Sequence, residues 1–190
     1  MSTNHENLVA AYRSIIHIVD GHNREGIRET PERAAKAMEF WTQGYKVDPL
    51  SFMKTFPADG ASGIIYQTNI PFWSLCEHHI APFFGLAHIA YIPSSRIIGL
   101  SKFSRLVDVY ARRLQVQERI AVQVAGVLEA VLDPKGVAVI LEARHTCMES
   151  RGVCKTGTVT QTSEMRRVFA EDGPAKAELM ALLASSKEKF

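Results

Sequence analysis

Two short stretches of this 190-residue chain carry the residue types that hold metal ions, Cys76-Glu77-His78-His79 and His145-Thr146-Cys147. Thiolate and imidazole are the ligands zinc prefers. A structural zinc site closes with four protein ligands, whereas a catalytic one keeps three and leaves a position for a reactive water. Cys76, His79 and Cys147 would make such an open site. If residues 145–147 end a strand, His145 and Cys147 share a face, because strand side chains alternate with period two. His145 would then carry protons beside the metal rather than bind it, with His78 doing the same from the other side. The competing reading is a chance C-x-x-H with cysteines that are merely small buried apolar residues, and a His145 that only fills the core.

A second group could bind an anion. Ser101-Lys102-Phe103-Ser104-Arg105 opens a predicted helix just after Gly99-Leu100, and helix N-termini offer backbone N–H groups to anions. Lys102 and Arg105 share a face there, and Arg151 could complete a polyphosphate clamp. Neither a Walker A sequence nor G-x-G-x-x-G is present, which disfavours a conventional ATPase or dinucleotide fold. Basic residues on a helix are otherwise most often simply solvated. Gln117-Glu118 starts the next predicted helix, where an acid suits the helix dipole and a carboxylate could equally accept N–H donors from a base. His17 and His88 read as packing residues, and His5 and His22 as exposed ones.

These groups need elements to position them. Apolar spacing predicts a helix over 6–20 and a second from Thr30-Pro31, with Thr30 capping, to about residue 43. Residues 47–62 read as a loop. Strands are expected over 64–74, interrupted near Pro71, and over 84–93. Helical periodicity covers 101–113 and 116–132, and the apolar run 136–142 reads as a buried strand leading to His145. A strand over 153–163 and a helix over 175–187 close the chain. The order predicts an α+β fold: a mainly antiparallel sheet with a helix pair on one face and an N-terminal helical layer. The expected division is an N-terminal helical segment, 1–46, and a catalytic domain, 62–190.

Composition agrees with a soluble globular chain, 46% hydrophobic and 22% charged. A net charge of +2 from 22 basic and 20 acidic residues implies no nucleic-acid partner. No stretch reads as a signal peptide or membrane span, so the expected location is cytoplasmic. Cys76, Cys147 and Cys154 are too few and too odd in number for a disulfide framework.

Several motifs in order, Ser74-Leu-Cys-Glu-His-His79, Gly99-Leu-Ser-Lys102, Arg113-Leu-Gln-Val-Gln-Glu-Arg119, His145-Thr-Cys-Met148 and Arg151-Gly152, resemble GTP cyclohydrolase I. The resemblance runs from about residue 29 to 163. It implies zinc ligands at Cys76, His79 and Cys147 and catalytic roles for His78, His145 and Ser101. It further implies triphosphate contacts from Lys102, Arg105 and Arg151, guanine recognition by Glu118 with Gln117 beside it, and Arg33 reaching the phosphates from a neighbouring subunit. The implied reaction opens the imidazole ring of GTP at C8 with a zinc-activated water, releases formate and yields 7,8-dihydroneopterin triphosphate. The implied architecture is the tunnelling fold, whose sheets join into a homodecameric ring with active sites between subunits.

Three features depart from the family pattern. Arg166-Arg167 replaces a segment that commonly carries glycine, Glu149 places a carboxylate two residues beyond Cys147, and Cys154 is an extra thiol whose oxidation with Cys147 merits a check. Rival readings fare worse. A nucleobase deaminase would need H-x-E with P-C-x-x-C, which is missing. A non-catalytic zinc ring would need neither His78 nor His145, and a tunnelling-fold nitrile reductase would need nicotinamide and a free nucleophilic cysteine.

Overall fold

In the computed structural model, which describes residues 3–21 and 24–185, the apolar run after Pro134-Lys135 becomes β6 (Gly136–His145). It lies between β3 (Ala81–Ile92) and β7 (Thr160–Arg167), antiparallel to both. Beyond β3 comes β2 (Ile65–Cys76), antiparallel, and β5 (Leu114–Gln115) adds in parallel to the last residues of β2. The sheet order is β5-β2-β3-β6-β7, and a separate small ladder joins β1 (Thr55–Pro57) to β4 (Arg96–Ile98).

Both faces of β6 are covered, which is why its sequence is apolar without alternation. Val137, Val139, Leu141 and Ala143 enter the main core beneath α3 (Ser101–Ala111) and α4 (Gln117–Leu132). Ala138 and Ile140 face the opposite way, toward Phe169 and Leu179 of α6 (Pro174–Ser185). The odd-numbered parity carries on to His145, which therefore faces the α3/α4 side. Gly85 of β3, opposite Ala143, has no room for a side chain: a Cβ there would lie 1.8 Å from the Glu142 carbonyl oxygen.

β2 changes face partway. Tyr66 belongs to the α6-side core and Ile65 packs against the α3/α4-side core, yet Ile70 and Phe72 enter the α3/α4-side core. Even positions thus swap sides between 66 and 70. The cause is a β-bulge: Gln67 pairs with Ile89 and Ile70 with Ala87, so one extra residue is inserted. Asn69 takes φ 54 there and donates its backbone N–H to Nδ1 of buried His88 at 3.4 Å. The interruption expected at Pro71 falls at the bulge instead, and Pro71 stays in the ladder opposite Leu86.

Other expectations need correction. The 47–62 segment is not all loop, since it holds a 3-10 turn, Pro49–Phe52, and β1. The last strand starts at Thr160, because residues 151–159 form turns and irregular chain, with left-handed Gly152, Cys154 and Gly157. Arg167 sits at φ 56, a region that costs an ordinary L-residue about 1–2 kcal/mol. Its guanidinium pairs with Glu129 at 2.8 Å and Asp133 at 2.7 Å, and neighbouring Arg166 pairs with Glu129 and Glu164. Those contacts accommodate arginines at a turn where glycine would be unstrained.

The chain divides into Met1–Gln43 and Gly44–Phe190. In the first unit α1 (Thr3–Val19) packs on α2 (Thr30–Trp41). The cap residue of α2 is Glu29 rather than Thr30, and it makes no side-chain capping bond. His5, expected at the surface, is buried between Glu39 at 3.0 Å and Glu32 at 3.1 Å. Their hydrogen bonds, Glu39 first, hold its pKa above the ordinary histidine value. His17, expected in the core, is exposed, and His22 lies outside the described residues.

Candidate metal centre and active site

Cys76 ends β2 on the α3/α4 side, and the chain turns through 77–80 into β3. The Cys76 carbonyl accepts the backbone N–H groups of His79 at 3.3 Å and Ile80 at 2.8 Å, which folds the C-x-x-H segment tightly. Ile80 is driven to φ 52, a strained value for a β-branched residue. From Cys76 Sγ, Nδ1 of His79 lies 3.7 Å away and Nδ1 of His78 3.9 Å away. The turn is tied to β5, between α3 and α4, by the Glu77 N–H on the Gln115 carbonyl at 3.0 Å. A two-pronged ion pair from Glu77 to Arg119, with contacts of 2.5 and 3.1 Å, adds a second tie.

Cys147 arrives differently from the expectation. The strand stops at His145, and α5 (Thr146–Glu149) is a single helical turn, so period-two alternation does not place Cys147. The turn is anchored by the Thr146 hydroxyl donating to the Pro82 carbonyl at 2.6 Å. It still delivers the Cys147 side chain to the same core as Cys76. Glu149 does not add a free charge near the thiols, because Arg144 engages both of its oxygens at 2.8 and 2.7 Å. Cys154 is exposed and all three cysteines are free thiols.

Ligand atoms of Cys76, His79 and Cys147 all lie within 4.8 Å of one another, with both cysteines buried and the histidine exposed. A tetrahedral zinc with bonds of roughly 2.0–2.3 Å needs its donors under about 4 Å apart, so slight closure seats it. Two thiolates and one imidazole match that ion. Among the described residues no fourth protein ligand joins the cluster, and three protein ligands are the number a catalytic rather than a structural zinc site uses. Burial, and then the nearby Cys76, pushes the Cys147 thiol above its ordinary value, while the charge of Arg151 pulls it down. Metal binding would reverse that balance by favouring the thiolate.

His145 ends β6, two residues before Cys147. Its ring stacks on Phe83, its cross-strand partner, with centroids 4.6 Å apart and planes 5° from parallel. Its Nε2 meets the Oε1 of Gln117 at 2.8 Å. Burial lowers its pKa from the usual value, opposed by the negative charge of Glu118. Gln117, which the resemblance puts beside guanine, has a buried amide that donates from Nε2 to the carbonyls of Leu141 at 3.1 Å and Thr160 at 2.9 Å. Glu118, next along α4, is exposed. Sequence reasoning missed both Phe83 and the link from Gln117 to His145, for neither is near His145 in the chain.

Ser101 is the first residue of α3 and is exposed, as is Arg105, while Lys102 is half-buried. At the start of α3 the N–H groups of Lys102 and Phe103 do not stand free for an anion but donate to the carbonyls of Gly99 and Leu100. The side-chain charges remain: Lys102, Arg105 and Arg151 form no ion pair among the described residues, whereas Arg119, Arg144, Arg166 and Arg167 all do. Arg33 sits on α2, in the other unit, paired with Glu29 at 2.5 Å.

Comparison with known proteins places these motifs in a lineage. The family model for GTP cyclohydrolase I matches residues 8–184. GTP cyclohydrolase 1 of Campylobacter concisus is 43% identical over 189 residues, 99% of this chain and 98% of that one. The Nitrosospira multiformis protein of the same name is 51% identical over 166 residues, 86% of each chain. That of Deinococcus radiodurans is 50% identical over 161 residues, 84% of this chain and 74% of its own. With the match extending over both units and every motif of the cluster, the chain belongs to the GTP cyclohydrolase I family.

Proposed function

We propose that the chain is a zinc-dependent GTP cyclohydrolase I that hydrolyses the imidazole ring of GTP. C8 is released as formate, and the remainder rearranges to 7,8-dihydroneopterin triphosphate. The observation that carries this reading is the Cys76-His79-Cys147 cluster, with a constrained histidine, His145, two residues before Cys147 in the chain. Zinc, once bound there, supplies Lewis acidity that makes hydroxide available from water near neutral pH.

The chain's own residues supply the rest. Cys76, His79 and Cys147 hold the ion, and the strained turn at Ile80 keeps His79 in place. His145 donates a proton to the purine ring nitrogen as the C8–N bond breaks. His78, exposed beside Cys76, and Ser101, at the start of α3, assist proton movements when the ribose opens and recloses. Lys102, Arg105 and Arg151, without an ion-pair partner among the described residues, are suited to the triphosphate. Glu118 accepts the N–H donors of guanine, which adenine does not present in that pattern. Arg33 reaches the phosphates from a neighbouring subunit, in a homodecameric ring whose sites lie between subunits. Domain roles follow: residues 1–46 as a helical segment, 62–190 as the tunnelling-fold catalytic domain. No described helix is long and apolar enough to cross a membrane, and the proposed location is cytoplasmic.

The direct test incubates zinc-loaded protein with GTP and follows formate release together with pterin absorbance. Both signals, abolished by a chelator and absent with ATP, are expected; metal-loaded protein giving neither would sink the reading. Glu118→Gln tests recognition separately. A hydrogen bond to a charged group is worth about 1.5–3 kcal/mol, so kcat/KM for GTP should fall roughly 10–100-fold with zinc content unchanged. Unaltered discrimination between GTP and ATP would remove Glu118 from the recognition role.

A further inference from the structure

Gln117 is in an unusual position for a polar side chain. It is 2% exposed, at the N-terminus of α4, and all its bonding partners are protein groups from β6, its end, or the start of β7. Two of those partners are backbone carbonyls, those of Leu141 and Thr160, which only accept hydrogen bonds. The end of the amide that faces them must therefore be the NH2 group. This settles the amide orientation by chemistry rather than by the similar shapes of oxygen and nitrogen. The other end, facing His145 at 2.8 Å, is then the carbonyl oxygen, an acceptor without a proton to give. A bond at that distance requires His145 Nε2 to carry the hydrogen.

From this we infer that Gln117 is a positioning residue that fixes neutral His145 as the Nε2–H tautomer and leaves Nδ1 as the nitrogen that exchanges protons with substrate. Nδ1 has no hydrogen-bond partner among the described residues. The stack on Phe83 fixes the ring plane, and the strand end fixes its backbone, so the imidazole has little freedom to exchange its two nitrogens. The imidazolium, protonated on both nitrogens, gives its Nδ1 proton to the purine ring nitrogen as the C8–N bond breaks. It returns to the neutral Nε2–H form, still bonded to Gln117, and regains a proton on Nδ1 from water. The rigid carbonyls of β6 and β7 thus act on the reacting centre through one amide. This rests on His145 as the proton donor but adds which atom donates and what selects it.

The test is solid-state 15N spectroscopy of zinc-loaded and chelator-treated protein labelled at histidine nitrogen, at about pH 8.5, two units above the ordinary histidine pKa. His145 is assigned by difference against His145→Ala. The expected signature is a protonated Nε2 and an unprotonated Nδ1 in both preparations; a mainly Nδ1–H form overturns the inference, whatever the activity. Gln117→Leu should mix the tautomers and lower kcat about 100-fold, the low end of a general acid's contribution, with KM for GTP nearly unchanged. A rise in KM with kcat preserved would instead make Gln117 a substrate contact and overturn the positioning role. The two layers separate cleanly. An Nδ1–H spectrum with an inactive His145→Ala defeats only the tautomer argument. The expected spectrum with a fully active His145→Ala defeats His145 as donor and the Nδ1 step with it.

Discussion

Cys147→Ser is expected to give a folded protein that no longer retains zinc and releases no formate from GTP. The substitution keeps the volume of the side chain closely, and Cys147 sits on a one-turn helix held by Thr146 and by the Arg144–Glu149 pair, so the local fold should survive. The ligand chemistry does not survive. A thiol that burial already disfavours as an anion becomes thiolate when a metal binds, whereas an alcohol resists the same ionisation and is a poor partner for zinc. Losing even an outer partner of a metal ligand costs roughly 10–100-fold in affinity or activity, and a direct ligand from a set of three should cost more. Zinc content by mass spectrometry or atomic absorption, read beside formate release, checks it. Full zinc occupancy in the variant would show that Cys147 is not a ligand and that the cluster is a packing arrangement.

His145→Ala should do the opposite to one of those readings. Zinc content stays at the wild-type level, because the proposed ligands are Cys76, His79 and Cys147, the group that could hold the ion. Turnover falls about 10²–10⁴-fold, the range a positioned general acid supplies. KM for GTP changes far less, since the recognition assigned to Glu118, Lys102, Arg105 and Arg151 is untouched. The variant also loses the stack on Phe83 and strands the Gln117 carbonyl oxygen, so a modest fall in thermal stability is expected alongside. Measuring zinc, kcat and KM on the same preparation separates chemistry from structure. A loss of zinc in step with the loss of rate would mean that His145 supports the metal cluster instead of moving protons.

Much of the site was legible because its residues come in dense local motifs. Cys-Glu-His-His and His-Thr-Cys name their chemistry through ligand type alone, and the helices 101–113 and 116–132 announce themselves by periodic apolar residues that the structure places as α3 and α4. Strand β6 could be read from an apolar run. Partners far apart in sequence could not. His5 reads as a surface residue until Glu32 and Glu39 close on it, and Glu149 reads as a spare charge until Arg144 takes it. Arg167 stands at a backbone angle that propensity would give to glycine, and only the carboxylates of Glu129 and Asp133 explain it.

Residue types and spacing, by themselves, determined which side chains can bind a soft divalent ion and which elements carry them, since both follow from local chemistry and periodicity. Tertiary structure decided which way those side chains face. One inserted residue between Gln67 and Ile70 moves the even positions of β2 to the α3/α4 side, so Cys76 joins Cys147 in one core rather than facing α6. A strand's faces alternate with period two, so a single bulge inverts every residue after it, and its position depends on pairing with β3 that no local motif encodes. The end of β6 shows the same limit: the alternation expected to bring His145 and Cys147 together stops at His145, and a helical turn tied to Pro82 completes the cluster.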